Sequence, residues 1–301
     1  MGRGLSRRKA IAVGAAAASG AALAALGIEA WPRSSTGSPP LSATAVGGSP
    51  TAQLPIATAT ATIPPTETPL PPTATSTATP PPPTATPTPY ARPSWLPGQM
   101  RQLVYSVRTD APLVALTLDD GWSERSRVLD TVLAQHLQLT FFLTGGAVRT
   151  DRAFIAEALN AGMEIGNHTM DHADLTLKSV TAIQQDLADF EALVAAAVPG
   201  ATTHPYMRPP GGAVNQVVAD ASAAVGYRPI NWSSSSGDGS ASTTPDQMVA
   251  NALSRAVPGA IILMHFGPRA LVAIPPLVQQ LRAKGLEPVS LSRLFAAAQG
   301  T

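Results

Sequence analysis

The chain has 301 residues, with 30 Pro, 24 Gly and no Cys, and its 20 Lys and Arg nearly balance 19 Asp and Glu. The absence of cysteine excludes a disulfide scaffold, a thiolate metal site and a cysteine nucleophile. From Pro93 to the C-terminus 17 acidic residues outnumber 14 basic ones, which excludes a basic nucleic-acid binder.

Arg3, Arg7, Arg8 and Lys9 precede an apolar run from Ile11 to Ile28 rich in Ala and Gly. A basic start followed by an apolar stretch is an export signal or a membrane anchor, and Ser6-Arg7-Arg8-Lys9 is similar to a twin-arginine signal. Residues 1–33 are therefore expected either to be cleaved on secretion or to stay as an anchor. Residues 34–98 repeat Thr, Ala and Pro, and between Ser34 and Ala91 the only charge is Glu67. Too few large apolar groups are present to offset the entropy of ordering, so this stretch is expected to be a disordered linker. Its prolines bias it toward extended polyproline II, which suits a spacer.

Residues 99–301 carry the periodicities of a folded domain. Leu113 to Leu118 reads as a buried strand ending at Asp119-Asp120-Gly121. Ser126 to His136 has helical spacing. Leu139 to Leu143 is strand-like, Asp151 to Asn160 helical, and Met163 to Ile165 a short strand after Gly162. A long helix is expected over Ser179 to Ala197, a short strand closing at Met207, a helix over Asn215 to Val225 and an extended stretch over Arg228 to Trp232. Pro245 is placed to open a helix over Asp246 to Ala256. Ala260 to Met264 is a strongly apolar strand, and Ala270 to Lys284 and Leu291 to Ala297 are the last helices. Strands alternating with helices imply an α/β domain with a largely parallel sheet.

In parallel α/β folds chemistry gathers at the carboxyl ends of the strands. Asp119, Asp120, His168, Arg208, Asp238 and His265 all lie there on this reading. Two adjacent carboxylates closing an apolar strand are costly unless compensated, although alone they would read as an exposed turn with a helix cap. His168 and His172 are four apart, so both can face one ion, and imidazole nitrogen with carboxylate oxygen suits zinc. His136 and His204 read as ordinary polar residues.

In this order the residues resemble the polysaccharide deacetylases, the NodB-homology domain of carbohydrate esterase family 4. Thr117-Leu118-Asp119-Asp120-Gly121 is similar to the family's T-F-D-D-G, and His168-Thr169-Met170-Asp171-His172 fits H-[ST]-x-x-H. Arg208-Pro209-Pro210-Gly211-Gly212 resembles R-x-P-Y-G with Gly at the Tyr position. Trp232 to Asp238 resembles the fourth motif, with Gly239 where Trp is usual, and Leu263-Met264-His265 fits the final L-x-H. The resemblance implies a distorted (β/α) barrel and a divalent metal, most often Zn2+, bound by Asp120, His168 and His172. It further implies Asp119 as general base and His265 as general acid, with Arg208 holding Asp119 and Asp238 orienting His265. A backbone N–H near Gly211 would meet the oxyanion, and Leu263 would line the acetyl pocket.

The resulting expectation is a metal-dependent N-deacetylase acting on an extracytoplasmic glycan with N-acetylglucosamine, such as peptidoglycan or a chitin-like polymer. The protein is expected to be secreted or anchored at the cell surface, monomeric, and without a nucleic-acid partner. The departures at Gly211 and Gly239 motivate an alternative, a carbohydrate-binding protein of the same fold with little catalysis.

Overall fold

The computed structural model describes residues 90–298; the expected export segment, most of the spacer and the last three residues lie outside the described residues. In chain order the elements are α1 (Pro97–Met100), β1 (Leu113–Asp120), α2 (Arg125–Ala134), β2 (Thr140–Leu143), α3 (Gly145–Thr150), α4 (Ala153–Asn160), β3 (Glu164–Asn167), a 3-10 turn at Leu175–Leu177 and α5 (Val180–Ala197). They continue with β4 (Tyr206–Met207), a second 3-10 turn at Pro210–Gly212, α6 (Gln216–Ala224), β5 (Arg228–Pro229), β6 (Ser234–Ser235), α7 (Pro245–Ser254), β7 (Ile261–His265), α8 (Pro268–Ala283), β8 (Glu287–Val289) and α9 (Leu291–Ala296). Among the described residues no helix is long and apolar enough to cross a membrane.

The strands pair in parallel in the order β5-β4-β3-β2-β1-β7-β6, with β8 also against β1. A segment before β1 draws the two sides together. Val104 bridges to Ile230 beyond β5, and Ser106 bridges to Ala260 ahead of β7. Val107 N–H donates to the Gly259 carbonyl at 2.8 Å. A Cβ at Gly259 would lie 1.8 Å from the Val107 carbonyl oxygen, and its φ is +82°, so only glycine permits this approach. The curled sheet with helices outside is a distorted (β/α) barrel.

Alternation along β1 divides its side chains. Val114, Leu116 and Leu118 join Ile262 and Met264 of β7 in the apolar layer under α2, α4, α7 and α8. Each large aliphatic chain buried there contributes roughly 1.5–3 kcal/mol. Ala115 belongs instead to a second cluster with Phe142, Tyr206, Ile230, Ile261 and Leu291. Thr117 and Asp119 share the parity of Ala115, so the strand that buries its apolar half under helices aims these two inward. Helix α8 carries Pro275 and Pro276 in its interior, where one proline typically costs about 3 kcal/mol. The buried stripe of Ala273, Ile274, Leu277, Val278 and Leu281 offsets that cost.

The amino ends of the strands form the floor of the barrel. Glu164 is buried there; its Oε2 accepts from Thr140 Oγ1 (2.8 Å) and from Ser292 N–H (3.2 Å), and its Oε1 from Ser290 Oγ (3.0 Å). The incoming chain also seats at this end. Arg92 donates to the carbonyls of His204 (2.6 Å) and Ile165 (3.0 Å), and Trp95 stands edge-on to Tyr206 and Phe295. Arg92 and Trp95, which composition groups with the spacer, are therefore seated on the domain, while Leu96 beside them stays exposed. Strands β6 and β8 and helix α3 also lie where the pattern predicts none. The extended stretch from Arg228 forms a ladder only at Arg228–Pro229, and β3 starts one residue later and ends two later than predicted.

Candidate active site

The first strand supplies the centre of the mouth. Asp119 is the register partner of His265 on β7 and of Phe142 on β2, so the three lie in one row across the sheet. Asp120, next in sequence, has φ +77°. This left-handed turn breaks the strand's alternation, and both carboxylates reach the same imidazole: His168 Nε2 is 3.7 Å from Asp119 Oδ2 and 3.4 Å from Asp120 Oδ1.

Arg208 holds Asp119 from inside the barrel. It is fully buried, and its Nη1 donates to Asp119 Oδ1 at 2.6 Å and to Thr117 Oγ1 at 2.8 Å. Its Nε and Nη2 donate to the carbonyls of Ile230 and Asn231. The guanidinium stacks on Phe142, 4.2 Å from the ring centroid. Phe142 can lie flat there because its β3 neighbour is Gly166, where a Cβ would come within 2.5 Å of the ring. Removing either partner of such a buried pair leaves the other charged and unsatisfied, a loss typically of about 3–5 kcal/mol.

The two histidines come from a loop after β3. His168 Nδ1 lies 2.7 Å from the Arg208 carbonyl, which can only accept, so Nδ1 carries a proton and Nε2 is the nitrogen turned toward the two carboxylates. His172 Nε2 is 3.4 Å from the same Asp120 Oδ1. Thr169 and His172 have φ of +65° and +54°, conformations that side-chain-bearing residues adopt only when surroundings impose them. The surroundings are visible. The Asn167 side chain accepts from Thr169 N–H, Thr169 Oγ1 accepts from His172 N–H, and the Thr169 carbonyl accepts from Gly145 N–H. On α5, Asp186 Oδ1 accepts from Met170 N–H at 2.7 Å while Oδ2 pairs with Lys178 at 2.5 Å.

One nitrogen from each imidazole and one oxygen of Asp120 lie within 4.8 Å of one another. Asp120 Oδ1 is buried and accepts no hydrogen bond, a state that is expensive for a carboxylate oxygen. Two ligands about 2.1 Å from a tetrahedral ion stand about 3.4 Å apart, which is the spacing from this oxygen to each imidazole. The donor set therefore fits a divalent ion of the zinc type. Burial pushes the Asp120 carboxyl up, but the neighbouring imidazoles of His168, His265 and His172 outweigh it and hold the group below its ordinary range. Burial, then His168, push His172 down against the two carboxylates, favouring the neutral form that ligation requires.

His265 faces this group from β7. Asp238 Oδ1 lies 2.7 Å from its Nδ1, and Asp238 Oδ2 accepts its backbone N–H at 2.8 Å. Burial lowers the imidazole's pKa, but the bond and charge of Asp238, with Asp119 and Asp120 beyond, raise it to about 9. Nε2 is the nitrogen left for a substrate. Leu263 is buried on the same face of β7 as His265, in register with Thr117 and Ser235. Gly211 is exposed at φ +62° with open space where a side chain would be, and Gly239 is exposed as well.

The structure thus brings Asp119, Asp120, His168, His172, Arg208, Asp238 and His265 to one mouth. His136 is exposed at the end of α2, and His204 bonds to Glu191 and to the Val225 carbonyl while stacking on Tyr227. Three supporting side chains escape the sequence reading: Thr117, Asp186 and Arg269. Arg269 donates to the carbonyls of Asp238, Ser240 and Thr243, fixing the loop that carries Asp238. A cation in the first turn of α8, against the helix dipole, is the one signal that could have marked it.

Residues 106–230 match the family model described as polysaccharide deacetylase. The chain is 31% identical over 185 residues to a chitooligosaccharide deacetylase of Rhizobium leguminosarum bv. trifolii, covering 61% of this chain and 82% of that protein. It is 27% identical over 204 residues to a peptidoglycan-N-acetylglucosamine deacetylase of Bacillus cereus, covering 64% and 92%. Its fold is similar to that of Bacillus subtilis PdaA, a family 4 carbohydrate esterase, with a TM-score of 0.61 and 27% identity over 65% of this chain and 86% of that one.

Proposed function

The chain belongs to the polysaccharide deacetylase family, and from that premise we propose that it removes N-acetyl groups from an extracytoplasmic N-acetylglucosamine-containing glycan with the help of a divalent metal. The observation that carries this reading is the orphaned Asp120 oxygen between two imidazoles, with Asp119 and His265 beside it in register. Peptidoglycan and chitin-like oligosaccharides are the substrates of the relatives named above. The basic and apolar residues 1–33 and the Thr/Pro-rich stretch that follows would deliver the domain to such a polymer, secreted or tethered.

Asp120, His168 and His172 would hold the ion, and one carboxylate with two imidazoles suits zinc. Bound there, it supplies an electrophile for the acetamide carbonyl and a water whose pKa is near 7. Asp119, with Oδ1 fixed by Arg208, takes a proton through Oδ2 as the water oxygen bonds to the acetyl carbon. A backbone N–H at Gly211 meets the carbonyl oxygen as it gains charge, and Leu263 walls the methyl group. His265, oriented by Asp238, gives its Nε2 proton to the sugar nitrogen as the carbon–nitrogen bond breaks. Acetate and a free amine leave.

The test is acetate release by the zinc-loaded protein from chitooligosaccharides and muropeptides. His168→Ala is expected to lose zinc on dialysis and activity with it. Persistent inactivity with zinc bound would defeat the reading. Undiminished glycan binding in that case would select the second one, a binding protein, which the open space at Gly211 and the exposed Gly239 favour.

A further inference from the structure

We propose that Trp122 is a stacking platform for a pyranose ring adjacent to the one that is deacetylated, a role that rests on the glycan reading above. Trp122 follows the Asp119-Asp120-Gly121 turn and is 52% exposed. Its indole is nevertheless fixed. Nε1 donates to Thr144 Oγ1 at 3.0 Å, and that hydroxyl itself donates to the Asp120 carbonyl and accepts from Ala147 N–H. The ring meets His172 edge-on, with centroids 5.2 Å apart at 74°. An indole whose polar atom is satisfied inside the protein and whose remaining surface is open has only apolar and π area to offer. Held in one orientation, it loses little further freedom on contact. The axial C–H groups of a pyranose present the matching apolar surface.

Its place in the sheet gives the direction. Trp122 is anchored to Thr144, which follows β2, whereas His265 ends β7 on the other side of β1. An acetamide seated between Asp119 and His265 would thus belong to a glycan running past His172 onto the indole. The proposal concerns binding of neighbouring sugar, separately from the groups that handle the amide.

The full zinc-loaded chain is compared with Trp122→Ala and Trp122→Phe on chitotetraose and on 4-nitrophenyl acetate, which has no sugar to stack, with zinc affinity measured alongside. For Trp122→Ala, the loss of kcat/KM on chitotetraose is expected to exceed that on 4-nitrophenyl acetate by about tenfold, mainly through KM. Zinc affinity should hold, and Trp122→Phe should recover part of the loss. Equal losses on both substrates with weakened zinc would overturn the proposal, making Trp122 a buttress for His172; so would no change on either. If the wild type holds zinc yet releases no acetate, the deacetylase reading fails by itself. Calorimetric titration with chitotetraose then decides the platform: weaker binding by Trp122→Ala supports it, and equal or absent binding overturns it.

Discussion

At the floor of the barrel, both oxygens of Glu164 are occupied by hydroxyls and a backbone N–H. At the mouth, Asp120 is also buried, but its Oδ1 accepts nothing and sits between two imidazoles at 3.4 Å. The backbone differs in the same sense: Asp120, Thr169 and His172 all have positive φ, whereas Glu164 lies in a regular strand. A fully satisfied buried carboxylate specifies a structure, while one left short of partners in a strained setting is built for something that arrives later. Burial of charge alone would not have separated the two.

Substitutions at the two ends should therefore fail in different currencies. The largest effect is expected for Asp119→Asn: acetate release should fall by about a thousandfold or more, while zinc content stays near wild type because Asp119 is outside the ligand set. Retention of full activity would remove it as the base. Next, Asp238→Asn should lower turnover and move the alkaline limb of the pH–rate profile. His265 stands above its ordinary 6.5 at about 9, so its protonated form persists through neutral pH and is lost above; without the Asp238 charge, that loss begins at lower pH. An unmoved limb would show that another group titrates there.

A smaller effect is expected from Asp186→Asn, which touches no ligand but holds Met170 N–H and Lys178 beside the histidine loop. Zinc affinity should weaken roughly tenfold, measured by competition with a chelator, with turnover of the fully loaded protein nearly intact. Glu164→Gln is the counterpart at the floor. It should cost about 1–3 kcal/mol of stability, read as a lower Tm, and leave the pH profile and zinc affinity in place. A collapse of activity in the folded Glu164→Gln protein would erase the distinction between the two ends.

The sequence exposes the mouth more fully than the barrel around it. Asp119-Asp120, the His168–His172 pair, Arg208, Asp238 and His265 are polar interruptions at the ends of apolar runs, and such interruptions stand out. The elements that escape have little apolar pattern to read. Strand β8 is three residues with Pro288 in the middle, β6 is two serines, and the Val104–Val107 strap makes isolated bridges. Their pairing is decided by register with β1 and β7, which is information between segments and not within any of them. The same holds for the site's supports. Thr117 reads as a strand residue and Asp186 as a helix residue until the fold puts the Arg208 guanidinium and the Met170 amide beside them. Gly166 makes the point most sharply, since its only visible purpose is room for the Phe142 ring under Arg208.

Arg92 and Trp95 clamp the entering chain against the underside of the barrel. Tyr90, the first described residue, stands by Arg293 of α9, at the pole opposite the candidate site. The first described residues thus cork the barrel from below, and the opposite rim, where Asp119 and His265 stand in register, is left free of them.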